Sequence, residues 1–204
     1  MKEFYLATTN TSYVVLAIAT IIGLYKWKLL RGYEKCYIIY LLFICCIEIM
    51  SNAIIDIFGA ENTDLVYSLY IIGSFIIFGC LYTLKLRLPQ YVRWAMMGIS
   101  ALYIILHYKF DISLDFIKAY STLIIICLIG ASLLVKIKKN MSGYRFIMVD
   151  SFLFLYSLVS VFLFIILNQL QMSTDTFYII WSINNILSSV LYYSFIKNFL
   201  QLKK

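Results

Sequence analysis

The sequence predicts an all-α, polytopic membrane bundle of seven transmembrane helices, and three observations carry that reading. First, 63% of the 204 residues belong to the AVILMFWYC set and only 13% are charged, with a mean hydropathy of +0.90, whereas a soluble domain is about half apolar. Second, the apolar residues fall into seven continuous runs, each near the length of about 20 residues that crosses a hydrocarbon core. Third, none of the runs alternates in the way a barrel strand must, so their backbone groups have to bond within helices. Seven such spans take up about 140 positions. What is left is short loops, so residues 1–204 read as a single transmembrane domain and a soluble multidomain enzyme is excluded.

The first run, about 6–27 (Leu6 to Trp27), has no small-residue exit before the next charge cluster, which argues against a cleaved signal peptide. No acylation signature follows Met1. The second run, 37–57, carries Glu48, Asn52 and Asp56. The third, 65–84, contains Tyr70 and Ser74. The fourth, 92–108, follows the chain's one proline, Pro89, and holds its one histidine, His107. The fifth is 116–135, the sixth, 146–167, has Asp150 near its start, and the seventh is 177–196.

Basic residues set the orientation. Lys26, Lys28, Arg31, Lys35, Lys85, Arg87, Arg93, Lys136, Lys138, Lys139, Arg145, Lys197, Lys203 and Lys204 fall on one side, and only Lys2, Lys109 and Lys118 on the other. The positive-inside rule then puts the N-terminus outside and the C-terminus in the cytoplasm. The formal net charge of +7 is thereby explained as a topology signal and not as a nucleic-acid footprint.

Shifting the chain by 111 positions lays Thr63-Asp64-x-x-Tyr67 over Thr174-Asp175-x-x-Tyr178, with Tyr70 over Trp181, Ile72 over Ile183, Tyr82 over Tyr193 and Lys28 over Lys139. The first and fifth helices run the same way in this topology, so the match fits a parallel 3+1+3 repeat with the fourth helix as linker.

Glu48 is the most informative residue. At 1.5 Å per residue it lies about 14–16 Å deep, where a carboxylate costs about 3 kcal/mol even on lenient insertion scales. It must therefore be protonated, paired or turned toward a polar cavity. Glu48, Asn52 and Asp56 are spaced i, i+4, i+8 and share one helix face. On the seventh helix Tyr178, Trp181, Asn185, Ser188 or Ser189, and Tyr192 recur at three- and four-residue steps. Asn185 comes out about 12 Å below the outer surface. The matching depths lead us to expect Glu48 close to Asn184 or Asn185, with Tyr70 and Ser74 completing the wall and Trp181 adding stacking surface. Such a set, apolar with a few placed polar groups, suits a small polar or cationic ligand. The alternative reading of the same residues is hydrogen-bonded packing between helices.

Other polar residues read more plainly. Asp150 is expected to form a local ion pair with an inner Lys or Arg, and His107 to sit at the outer interface. Cys36, Cys45, Cys46, Cys80 and Cys127 show no metal or redox spacing and read as small core hydrophobes. There is no GxSxG, HExxH, P-loop or dinucleotide fingerprint, so neither catalysis nor a cofactor is expected.

The 3+1+3 order resembles that of SWEET-type sugar transporters and, more loosely, of microbial rhodopsins. The rhodopsin likeness implies no retinal here, because the seventh helix has no mid-span lysine. The transporter likeness meets spans without proline. The final span, Trp181-Ser-Ile-Asn-Asn-Ile-Leu followed by Tyr192-Tyr193, together with the Glu48 helix and LVYSLYIIGSF, resembles small seven-helix proteins of Bacteroidetes-type genomes, some encoded beside sensor histidine kinases. That resemblance implies sensing in a bacterial cytoplasmic (inner) membrane. The expected function is a sensory or accessory subunit with an outward-opening polar pocket. The tail after Ile196 is short, so its signal would pass to a partner protein. A small-solute or proton-coupled transporter, and a structural or immunity-type subunit, are the alternatives.

Overall fold

The computed structural model describes residues 1–58, 64–110, 113–139, 145–169 and 174–202. Among them are seven α-helices and no strand: α1 (Lys2–Tyr25), α2 (Lys35–Phe58), α3 (Asp64–Lys85), α4 (Gln90–Phe110), α5 (Leu114–Lys138), α6 (Ile147–Gln169) and α7 (Thr174–Leu200). Short 3-10 turns at Trp27–Leu29 and Gly32–Glu34 separate α1 from α2.

Each predicted run has its helix, and most helices outrun it. α1 shows why: its polar stretch stays helical because the hydroxyls of Thr8 and Thr9 donate to the Tyr5 carbonyl and that of Thr11 to the Ala7 carbonyl. These side chains find partners within the helix and do not break it. Among the described residues five helices, α1, α2, α3, α5 and α7, are long and apolar enough to cross a membrane. In α6 the described apolar stretch is shorter, Ile147–Leu163. α4, with Arg93 in its first turns and His107 and Lys109 in its last, is less apolar than those five.

By contacts the chain divides into two compact units, Met1–Leu30 with Ile129–Lys204, and Arg31–Leu128. In the first unit α7 packs against both α1 and α6. The pairs Thr9–Asn185, Ser12–Ser188 and Lys26–Leu202 are all 176 residues apart. A constant separation means that the index rises along both helices together, so α1 and α7 are parallel. Gly130 lies under the Phe154 ring and Lys136 pairs with Asp150, so the last part of α5 and the first part of α6 are antiparallel.

In the second unit α3 packs between α2 and α4. Tyr37 meets Lys85, Tyr40 meets Phe78 and Phe43 covers Gly73, which makes α2 and α3 antiparallel. Phe75 against Tyr103 and Gly79 against Met96 do the same for α3 and α4. Tyr67 at the start of α3 donates to Asp115 at the start of α5, 3.0 Å.

The helix ends explain several local choices. The Arg31 N–H donates to Glu34 Oε2 at 2.9 Å, tying the turn that precedes α2. Ser113 Oγ accepts from the Phe116 N–H, capping α5. α3 ends with Arg87 at φ 54, and the Leu88 N–H returns to the Thr83 carbonyl at 2.9 Å. Glycine usually takes that left-handed position; a larger residue there costs about 1 kcal/mol. Phe146, at φ 65, introduces α6 in the same conformation. Its N–H donates to Asn198 Oδ1 at 3.1 Å, and its ring is buried edge-on against Phe199, 5.8 Å away.

Candidate functional site

The predicted site residues fall in both units, Trp181, Asn184 and Asn185 in the first and Glu48, Asn52, Tyr70 and Ser74 in the second, and each set is described by itself.

On α7 the exposed residues Ile179, Ile183, Ile186, Val190 and Tyr193 mark one face. Advancing 100° per residue, Trp181, Asn184 and Ser188 lie on the opposite face, while Asn185 turns toward α1. The Asn185 amide donates to Thr9 Oγ1 at 2.8 Å, and the Thr9 hydroxyl donates to the Tyr5 carbonyl at 2.9 Å. One turn on, Ser12 and Ser188 are 3.0 Å apart. The Ser188 hydroxyl donates to the Asn185 carbonyl at 2.9 Å, which leaves the Ser12 hydroxyl to donate to Ser188. Near the starts of both helices Tyr5 meets Tyr178 with ring centroids 5.5 Å apart. Asn185 is thus joined to α1 by a polar ladder. Asn184 differs: its Oδ1 is covered and has no hydrogen-bond partner among the described residues. Trp181 is half-buried with its ring 5.9 Å from Phe177.

On α2, Glu48 follows Tyr37, Leu41 and Ile44 at spacings of eleven, seven and four, and all three are buried. The exposed Cys46, Ile49 and Met50 lie elsewhere on the helix. Glu48 therefore belongs to the packed side of α2 and is itself half-buried. The antiparallel register of α2 and α3 brings it within a turn of the level of Tyr67 and Tyr70. Asn52 is exposed, and Ser51 half-buried. The side chain of Asp56 lies outside the described residues.

On α3, Tyr67 and Tyr70 stack with centroids 6.4 Å apart and planes 14° from parallel. Lys118 of α5 places its ammonium 5.3 Å from each ring. Ser74 Oγ is covered and lacks a hydrogen-bond partner among the described residues. In the second unit, then, Glu48 and the covered Ser74 Oγ lie close in level to the two tyrosine faces that the Lys118 ammonium approaches.

Sequence reasoning counted Lys118 only as an outer-side charge; its i+3 spacing from Asp115 was the available sign of a pair on one helix face. Likewise the Tyr5, Thr9, Ser12 spacing marked the partner stripe of α7. For Asp150 the expected inner partner is Lys136: the two form a buried ion pair at 2.5 Å, with the carboxylate fully covered. The cysteines need a correction. All five are free, but Cys46 and Cys127 are exposed, because a small apolar side chain is as acceptable to lipid as to a helix interface. His107 is half-buried and lines a cavity of about 10 Å³, room for about one water, with Ser68, Ile71, Tyr103 and Ile117. An open groove, about 400 Å³, runs along the exposed side of α1 and α7 beside Ala7, Thr11, Val15, Ile186, Val190 and Tyr193; none of the predicted site residues lines it.

No protein family, curated protein or solved structure matches the chain.

Proposed function

We propose that the chain is a seven-span protein of the bacterial cytoplasmic membrane, a sensory or accessory subunit that recognises a small organic cation or hydrogen-bond donor in its outer half. It would signal to a separate partner protein. The seven-span topology is supported by the order of the helix ends. α3 and α5 are both apolar enough to span, and their starts share an end through Tyr67 and Asp115. A return crossing by the chain between them, through α4, fits this arrangement. Lys136 joins the end of α5 to the start of α6, and Asn198 joins the start of α6 to the end of α7. α5 and α7 finishing on the same side supports a crossing by α6. With the basic ends inside, the N-terminus is outside, the C-terminus is cytoplasmic, and α1 runs with α5 as the 3+1+3 repeat requires.

The observation that carries the recognition role is the buried, unpartnered Oδ1 of Asn184. A covered acceptor without a donor is expensive, and a ligand N–H or O–H would satisfy it. In the other unit Ser74 Oγ is likewise covered without a hydrogen-bond partner among the described residues. Reconstitution tests the role: bound ligand without flux across vesicles, and a co-purifying signalling protein, are expected. Solute flux abolished by Glu48→Gln would make the protein a transporter instead.

A further inference from the structure

The corner between α3 and α4 carries two arginines, Arg87 and Arg93. Arg93, in the first turns of α4, is half-buried, and its Nε is covered with no hydrogen-bond partner among the described residues. No acidic residue occurs between Asp64 and Asp111, so neither α4 nor the stretch of α3 before it offers a carboxylate. The nearby Lys85 is engaged by Tyr37, to which it donates, and its ammonium lies 4.6 Å and 4.8 Å from the Tyr37 and Tyr82 rings. Arg87 is exposed and sits at φ 54, a position where glycine would be unstrained. A basic side chain held there at a cost indicates that the side chain has a use.

The setting identifies the partner. The corner follows directly on α3, a helix long and apolar enough to span, so it emerges at a membrane surface. Tyr91 and Trp94 flank Arg93 and are 71% and 62% exposed; amphipathic rings of this kind rest at the level of lipid headgroups. Guanidinium groups match phosphate oxygens in a fork that ammonium groups do not. We infer that Arg93 and Arg87 bind the phosphate of an anionic phospholipid at the α3–α4 corner, with Tyr91 and Trp94 seated in the headgroup layer beside it.

The experiment is native mass spectrometry of the full chain released from detergent with phosphatidylglycerol or phosphatidylcholine. Wild type is expected to retain phosphatidylglycerol in preference. Arg93→Gln should weaken that retention about tenfold, the size of one charge-assisted pair, while Arg93→Lys should recover only part of it. Lys138→Gln removes an exposed basic residue elsewhere on the same predicted side and should change nothing. Arg87→Gly provides a readout that a merely structural role would not give: it should raise thermal stability by relieving the left-handed conformation, and yet lower phosphatidylglycerol retention. Equal retention by wild type and Arg93→Gln would overturn the assignment. Displacement of the lipid by millimolar inorganic phosphate alone would replace it with a soluble-anion site.

Discussion

The Lys118 ammonium lies 5.3 Å from the centre of the Tyr70 ring and the same distance from Tyr67, so the aromatic surface assigned to a ligand is in contact with a cation of the protein's own. If those rings also receive the external ligand, Lys118 competes with it. Lys118→Met keeps the apolar stem and removes the charge. Binding of tetramethylammonium to the purified protein should tighten about fivefold, on the order of one cation–π contact. Unchanged affinity would show that the pair serves packing alone.

The Lys136–Asp150 pair makes a prediction about stability. Asp150→Asn leaves a buried ammonium without its counter-charge and should destabilise by about 3–5 kcal/mol. Replacing both residues together, Lys136→Met with Asp150→Leu, should cost far less, because two desolvated charges disappear at once. Thermal unfolding in detergent separates the two; equal losses would mean that the pair is not acting as a unit.

Gly73 faces Phe43 of α2, and a Cβ there would overlap the Phe43 ring. Gly73→Ala should therefore destabilise by about 1–3 kcal/mol. Phe43→Leu in the same chain should recover part of the loss, giving a favourable coupling in a double-mutant cycle. Gly79→Ala is expected to be milder, since the atom it meets most closely is the flexible end of Met96.

The parallel ladder between α1 and α7 can be read by crosslinking and by a cycle. Cysteines at Ser12 and Ser188, whose hydroxyls are 3.0 Å apart, should form a disulfide efficiently; a pair at Ser12 and Ser194 should not. Thr9→Val and Asn185→Leu should show a coupling of about 0.6 kcal/mol, the usual worth of such bonds between membrane helices. Additive effects would place Asn185 away from Thr9.

Composition and run length were enough to locate all seven helices, since lipid leaves the backbone few alternatives. Their ends were less legible. The Thr8–Ser12 stretch looks like a break in the apolar run, but hydroxyls that bond back to their own helix let α1 begin at Lys2. Asp150 needed a neighbouring cation, and the short α5–α6 connection supplied Lys136 from among several basic residues; only geometry could choose it. The buried side of Glu48 was implied by its spacing from Tyr37, Leu41 and Ile44. Asn184 and Asn185 show the limit of such arithmetic. They are adjacent, so a face assignment good to one residue cannot divide them, whereas the structure gives Asn185 to Thr9 and leaves the Asn184 oxygen unpartnered among the described residues.

Recognition by this chain rests on the covered Asn184 Oδ1, which has no hydrogen-bond partner among the described residues and would receive a ligand's donor group. Its most direct test is equilibrium binding of choline, ethanolamine and putrescine to the reconstituted protein, compared with Asn184→Leu and with Glu48→Gln. At least one of these cations should bind, and Asn184→Leu should weaken it about tenfold while leaving the helical content unchanged, with Glu48→Gln reporting separately on the second unit. Binding that is indifferent to Asn184→Leu, or no binding of any of the three, would contradict a recognition role for Asn184.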